Sequence, residues 1–323
     1  MKQIRIAFIY HKDNAYLSGK HYDNSYYNFF MKALRQNEEI EIKDFPTKEI
    51  FDASILKDKF DIILLWENSD DGMPSDIKGI QELDIPVIAK GGDFAGAKKS
   101  IKFHEKWKIN YYFHFFHEDF FHEHYPSNFK YKTIIFGLEP KLYQKLTPYE
   151  KRISNKILNS GNVGNMKITS RIINRIRNPK WNSLECYKLR TKCNNLSYVD
   201  YTSTLQHDYV GDRYPLLLQK YCAAIAASTY NPLVKYLEIQ ASGCLTFMEI
   251  TKKNKGEFLG YEDEKTIISI NENNYIEKFE KYLSDPENTK WKKIADAGRE
   301  YTLKKFTNKK AVESLIDLMK NLL

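Results

Sequence analysis

Short, uninterrupted apolar runs recur along the first half of the chain, with helix-like stretches between them. Ile4 to Tyr10, Ile40 to Phe45, Ile62 to Trp66, Ile85 to Ala89, Tyr111 to Phe116 and Thr133 to Phe136 read as strands, and an aromatic helix is expected from about Asn24 to Arg35. Strands that are apolar throughout, rather than alternating, are covered on both faces, which is the habit of a parallel sheet flanked by helices. The pattern restarts after the polar connection 147–152. Ile157–Leu158 leads into a loop of small residues, Ser160 to Asn165, and a basic helix from about Ile168. Cys222 to Ala227 and Cys244 to Met248 read as further strands around a helix over Val234 to Ala241. Helices over Tyr275 to Leu283, Trp291 to Phe306 and Ala311 to Leu322 close the chain, the last with Val312, Leu315, Ile316, Leu318 and Met319 at helical spacing. The expected fold is therefore α/β, two doubly wound domains over 1–147 and 148–323.

Composition narrows this picture. The 323 residues are enough for two ordinary cores, and the 42% hydrophobic content fits a folded chain. The apolar runs are too short to cross a bilayer, and Met1–Lys2–Gln3 leads straight into a strand with no secretory signal, so a cytoplasmic location is expected. Cys186, Cys193, Cys222 and Cys244 show no CxxC spacing and read as free thiols in a reducing compartment. The formal charge of +8 is scattered among acidic residues. It leaves room for weak association with an anionic membrane surface, peripheral at the inner face, while no nucleic-acid motif accompanies it.

In open parallel sheets ligands bind beyond the C-terminal strand ends. Two segments of the second half suit such a place. Gly161 and Gly164, with Asn162 between them, form a loop that can approach a phosphate closely, and Arg171 on the following helix can add a charge-assisted contact. An ordinary structural turn explains the same loop equally well. Lys235 and Glu238 lie three apart on one face of a helix that follows Pro232 and ends at Ala241–Ser242–Gly243. Spacing alone also describes an exposed Lys–Glu pair with a glycine cap.

The run from Lys235 to Gly243 and the apolar strand after it resemble the donor-site helix of GT-B glycosyltransferases of the group-1 type. The nearest likeness is to the spore-maturation (CgeB-like) branch. The resemblance continues through Phe258 to Glu264, Leu283–Ser284–Asp285–Pro286, Ala295 to Tyr301 and Phe306–Thr307, with one echo at Phe136 to Tyr143. It implies two Rossmann-like domains facing each other across a cleft, and a nucleotide-sugar donor, UDP- or GDP-linked, bound by the second. Glu238 would accept hydrogen bonds from the ribose hydroxyls, and Lys235 and Arg171 would neutralise the departing diphosphate without a metal or other cofactor. Tyr230 stands where many members carry a glutamate that touches the sugar, which leaves the donor sugar and the stereochemical course open.

Strand ends of the first domain supply candidates for a base toward the acceptor: Asp93 after two glycines, then His11, then Glu67. The segment Tyr111 to Tyr125 holds His114, His117, His122 and His124 among aromatics. Its spacing does not converge on one ion, so a packed or acceptor-lining surface is expected in place of a metal site. The functional expectation is an enzyme, a glycosyltransferase acting on a glycan, lipid-linked or protein acceptor. The alternatives are a non-catalytic GT-B-shaped protein that binds a nucleotide-sugar or glycan, and a nucleotide-sugar epimerase on the same fold.

Overall fold

The computed structural model describes residues 3–14, 26–67, 72–92, 94–164, 168–177, 183–202 and 208–323. The chain forms two compact units, Met1–Gly137 with Asn308–Leu323, and Leu138–Thr307.

The first unit holds, in chain order, β1 (Ile4–His11), α1 (Tyr26–Arg35), β2 (Ile40–Thr47), β3 (Ile50–Asp52), β4 (Ile62–Trp66), β5 (Asp76–Lys78), β6 (Val87–Lys90), α2 (Ala97–Lys106), β7 (Ile109–His114), α3 (Glu118–His122) and β8 (Tyr131–Thr133). Its main sheet is parallel, in the order β2-β1-β4-β6-β7-β8, while β3 and β5 pair as a separate small ladder. Every residue of β4 and β6 is buried, which is why their sequences, Lys90 at the end of β6 apart, are apolar without alternation. The core beside the sheet joins Phe8, Leu64 and Trp66 to Phe30, Met31 and Leu34 of α1.

The second unit holds β9 (Ile153–Ser160), α4 (Ile168–Arg177), α5 (Ser183–Cys186), α6 (Lys188–Cys193), β10 (Val199–Thr202), α7 (Tyr214–Leu218), β11 (Tyr221–Ala226), α8 (Lys235–Ala241), β12 (Leu245–Glu249), β13 (Ile268–Ile270), α9 (Tyr275–Leu283) and α10 (Thr289–Lys305). Its five strands are again parallel, ordered β10-β9-β11-β12-β13. Ile157, Ile225 and Phe247 meet Phe279, Tyr282 and Trp291 in its core.

Two departures from expectation have plain causes. The last helix, α11 (Asn308–Lys320), does not belong with the second unit. Val312, Leu315, Ile316 and Met319 pack into the first core, Asn308 Oδ1 accepts from the Gly137 backbone N–H at 2.7 Å, and Lys132 Nζ donates to the Ser314 carbonyl at 3.0 Å. Periodicity says that a helix buries one face but not against what. The edge strands β10 and β13 and the polar helix α2 went unforeseen because four, three and ten residues of mixed polarity carry little periodic signal. The four cysteines are free and buried.

Candidate functional site

In each unit the order of strands reverses once. The chain passes from β9 outward to β10, then returns to lay β11 on the other side of β9. Helices after the two central strands therefore leave in opposite directions, and a crevice opens at their C-terminal ends. Ser160 is the last residue of β9, and Lys235 opens the helix that follows β11. The Lys235 ammonium donates to the Ser160 carbonyl at this switch point. Glu238 follows one turn later, and both side chains are half-buried. They form no ion pair with each other, so the picture of a solvated surface pair does not hold: Lys235 is turned onto the strand end instead.

Burial dominates the titration of both groups. It pushes the Lys235 ammonium well below the usual lysine range, helped by the nearby Arg190 charge and opposed by Glu238. Burial raises the Glu238 carboxyl to about 7, with Lys235 pulling the other way.

Arg190 of α6 lies beside them and is only 1% exposed. Its guanidinium sits 4.3 Å from the Tyr187 ring, and its Nε and Nη1 have no hydrogen-bond partner among the described residues. Glu249, at the end of β12, is 2% exposed with Oε2 also unpartnered, and burial raises its carboxyl to about 7. Tyr214 and Ser160 share a hydroxyl–hydroxyl hydrogen bond at 2.5 Å. No motif marked Arg190 or Glu249; only a cation in an otherwise apolar helix face and an acid closing a strand hinted at them.

The small-residue loop has a structural component at both of its glycines, of the kind the turn reading describes. Gly161 adopts φ +96° and donates its N–H to the Thr202 carbonyl at 2.9 Å. Gly164 is packed so that a Cβ would fall 2.5 Å from Leu184 Cα, and its N–H is already given to Thr191 Oγ1 at 2.8 Å. The space that glycine leaves at 164 is thus filled by protein. Asn162 is exposed. Tyr230 is half-buried, with Lys253 Nζ 4.8 Å from its ring centroid. Arg171 lies on α4 with its side chain outside the described residues.

In the first unit the reversal falls between β1 and β4, and the strand ends there carry His11 and Glu67. The third acceptor-side candidate, Asp93, lies outside the described residues. His11 Nδ1 accepts from the Asp13 N–H at 3.2 Å, and the ring lines a cavity of about 270 Å³ with Lys48, Met73, Ser75, Phe103 and Trp107. Glu67 holds φ +56°, a left-handed conformation uncommon outside glycine. Its Oε1 accepts from Lys90 Nζ at 2.7 Å, and Lys90, at the end of β6, is wholly buried. The same ammonium donates to the Gly91 carbonyl at 3.0 Å and lies 4.4 Å from the Tyr27 ring and 5.1 Å from Trp66. His114, ending β7, accepts at Nδ1 from the Phe115 N–H at 2.9 Å; burial first and the Lys90 charge second hold it well below the usual histidine range, hence neutral. His117 caps α3 and His124 contacts the Phe120 carbonyl, so these rings serve local structure within an aromatic cluster. Among the described residues no group of three or more His, Cys, Asp or Glu is placed to hold a metal ion.

Two parallel-sheet Rossmann-like units, each with polar side chains gathered at its topological switch point, define the GT-B class of fold. Solved structures of that class align over the whole chain. Sucrose-phosphate synthase from Thermosynechococcus elongatus gives a TM-score of 0.61 at 11% identity, covering 99% of each chain. A glycosyltransferase from Rickettsia africae gives 0.56 at 12%, covering 100% of this chain and 99% of the other. HepE from Anabaena, in complex with UDP-glucose, gives 0.55 at 11%, covering 99% and 100%. The sequence itself matches no protein-family model and no curated protein.

Proposed function

We propose that the protein is a glycosyltransferase that moves a sugar from a nucleotide-sugar, UDP- or GDP-linked, to a hydroxyl of a glycan, lipid-linked or protein acceptor. The observation that carries this reading is the Lys235–Ser160 contact at the switch point of the second unit, with Glu238 one turn further along the same helix. Transfer breaks the bond between the anomeric carbon and the diphosphate and forms one to the acceptor oxygen. The negative charge that grows on the diphosphate must be met by fixed cations. Lys235 meets it at the strand end and Arg190 from the neighbouring helix α6, where its Nε and Nη1 lack partners among the described residues. Arg171 is a further candidate by its place on α4. An arriving diphosphate would favour the charged form of Lys235 that burial disfavours. Glu238 accepts hydrogen bonds from the ribose hydroxyls, and these cations do the neutralising that a divalent metal would otherwise do. The glycosyltransferase names among structures of this fold, and the UDP-glucose bound to HepE, support the donor class.

On the acceptor side, Glu67 offers a carboxylate with one oxygen held by Lys90, while His11 and Asp93 remain candidates for the base. The sequence likeness over 235–307 to the spore-maturation branch points the same way. A second reading, a nucleotide-sugar-binding protein without turnover, is favoured by one observation: Tyr230, beneath the Lys253 ammonium, stands where a carboxylate would contact the sugar.

The test is a thermal-shift panel of UDP, GDP, ADP, CMP and their common sugar conjugates on wild type, Glu238→Ala and Lys235→Met. A ligand at about a hundred times its dissociation constant stabilises the folded state by about 2.7 kcal/mol. One nucleotide class should stabilise wild type and lose its effect in both Glu238→Ala and Lys235→Met. Stabilisation by no nucleotide would remove the donor assignment. Binding with no slow hydrolysis of any sugar conjugate would leave the binding-protein reading.

A further inference from the structure

The least expected surface of the second unit is one face of α4. Ile168, Ile172, Ile173 and Ile176 are 71%, 56%, 48% and 76% exposed. Other large exposed apolar residues, such as Ile50, Val210 and Ile276, are scattered along the chain. Single exposed apolar side chains are ordinary, but four isoleucines in one ten-residue helix are not. At 3.6 residues per turn the four positions fall within one arc of about 140°. Helix propensity does not account for them, because β-branched residues are mediocre helix formers.

The charges of the helix follow the same arc. Arg171 and Arg175 occupy the positions along one edge of the isoleucine face, Arg177 lies along the other, and Ser170 and Asn174 lie opposite. The sequence ITSRIINRIR has no acidic residue. We propose that α4 is a membrane-docking helix that lies flat in the surface of an anionic bilayer, with its isoleucines in the acyl boundary and Arg175 and Arg177, one on each border, at the lipid phosphates. Charge selects this occupant over a second copy of the chain. A two-fold contact through the isoleucine face would bring arginine-lined edges against arginine-lined edges. A phosphate-rich surface instead meets cations on both borders, and the chain's formal charge of +8 adds attraction at longer range. With three turns of helix, docking is weak and reversible, suited to an enzyme that visits a surface. The proposal is independent of the donor-site reading.

The experiment is vesicle flotation of the full chain with phosphatidylcholine alone and with phosphatidylcholine containing phosphatidylglycerol. Wild type should float with the anionic vesicles and bind neutral ones at least about tenfold less. Ile172→Ser combined with Ile176→Ser changes only exposed side chains, so its melting temperature should match wild type while vesicle binding falls about tenfold or more. Arg175→Gln with Arg177→Gln should reduce the preference for the anionic lipid. Raising salt from about 0.1 M to about 1 M, which shortens screening from ~10 Å to ~3 Å, should weaken docking. Equal flotation of wild type and the isoleucine variant would overturn the proposal, as would no flotation at low salt. A concentration-dependent dimer lost in the isoleucine variant would also overturn it, by giving the face to a second copy.

Discussion

Replacing Glu238 by glutamine should make the protein more stable at alkaline pH and worse at holding its ligand. Burial raises the carboxyl from its ordinary 4.5 to about 7. Between those values the folded state binds more protons than the unfolded one, so stability contributed through this group falls as pH rises through the window. At one pKa unit per 1.36 kcal/mol, the loss between about pH 5 and about pH 8 comes to roughly 2 kcal/mol. Glutamine keeps the shape and never ionises, so it escapes this loss. Glu249 carries a shift of the same sign and Lys235 one of the opposite sign, and both remain in the variant. Their presence makes the difference between wild type and variant the informative quantity. The assay is urea unfolding of both proteins at the two pH values. The expected result is near-equal stability at about pH 5 and an advantage of roughly 2 kcal/mol for Glu238→Gln at about pH 8. Nucleotide binding should weaken by about ten- to a hundredfold, the worth of hydrogen bonds to a charged acceptor. A stability difference that stays constant across the two pH values would refute the reasoning, because the carboxyl would then titrate alike in folded and unfolded chains.

Two further substitutions probe the packing behind the sites. Lys90→Met removes a wholly buried ammonium and strands the Glu67 carboxylate, which should cost about 2–4 kcal/mol in urea unfolding; Lys90→Met with Glu67→Gln should recover most of it, and failure to recover would show that the pair itself is not what matters. Gly164→Ala places a methyl 2.5 Å from the Leu184 Cα, a backbone atom that cannot turn aside, and should lower stability by about 1–3 kcal/mol; an unchanged melting temperature would mean that the loop relaxes freely.

Apolar runs without alternation were enough to read two parallel sheets, since a strand covered on both faces has no polar side to show. The central strands β1, β4, β6, β11 and β12 were legible for that reason, whereas only Ile157–Leu158 of β9 stood out from its polar neighbours. The helix α8 itself was legible too, because Pro232 before it and the turn at Gly243 after it need no long-range contact to be recognised together. What the linear pattern left undecided depends on contacts between distant segments. Only packing shows that α11 returns to the first core, because an amphipathic stripe names no partner. Only strand order brings Ser160 to Lys235, 75 residues apart. The fold likewise decides that Gly164 makes room for Leu184, and that Lys90 is turned inward to hold Glu67. Burial settles the rest: the same lysine and glutamate would titrate normally on a surface, and they depart from their ordinary ranges because the tertiary structure withdraws water from them.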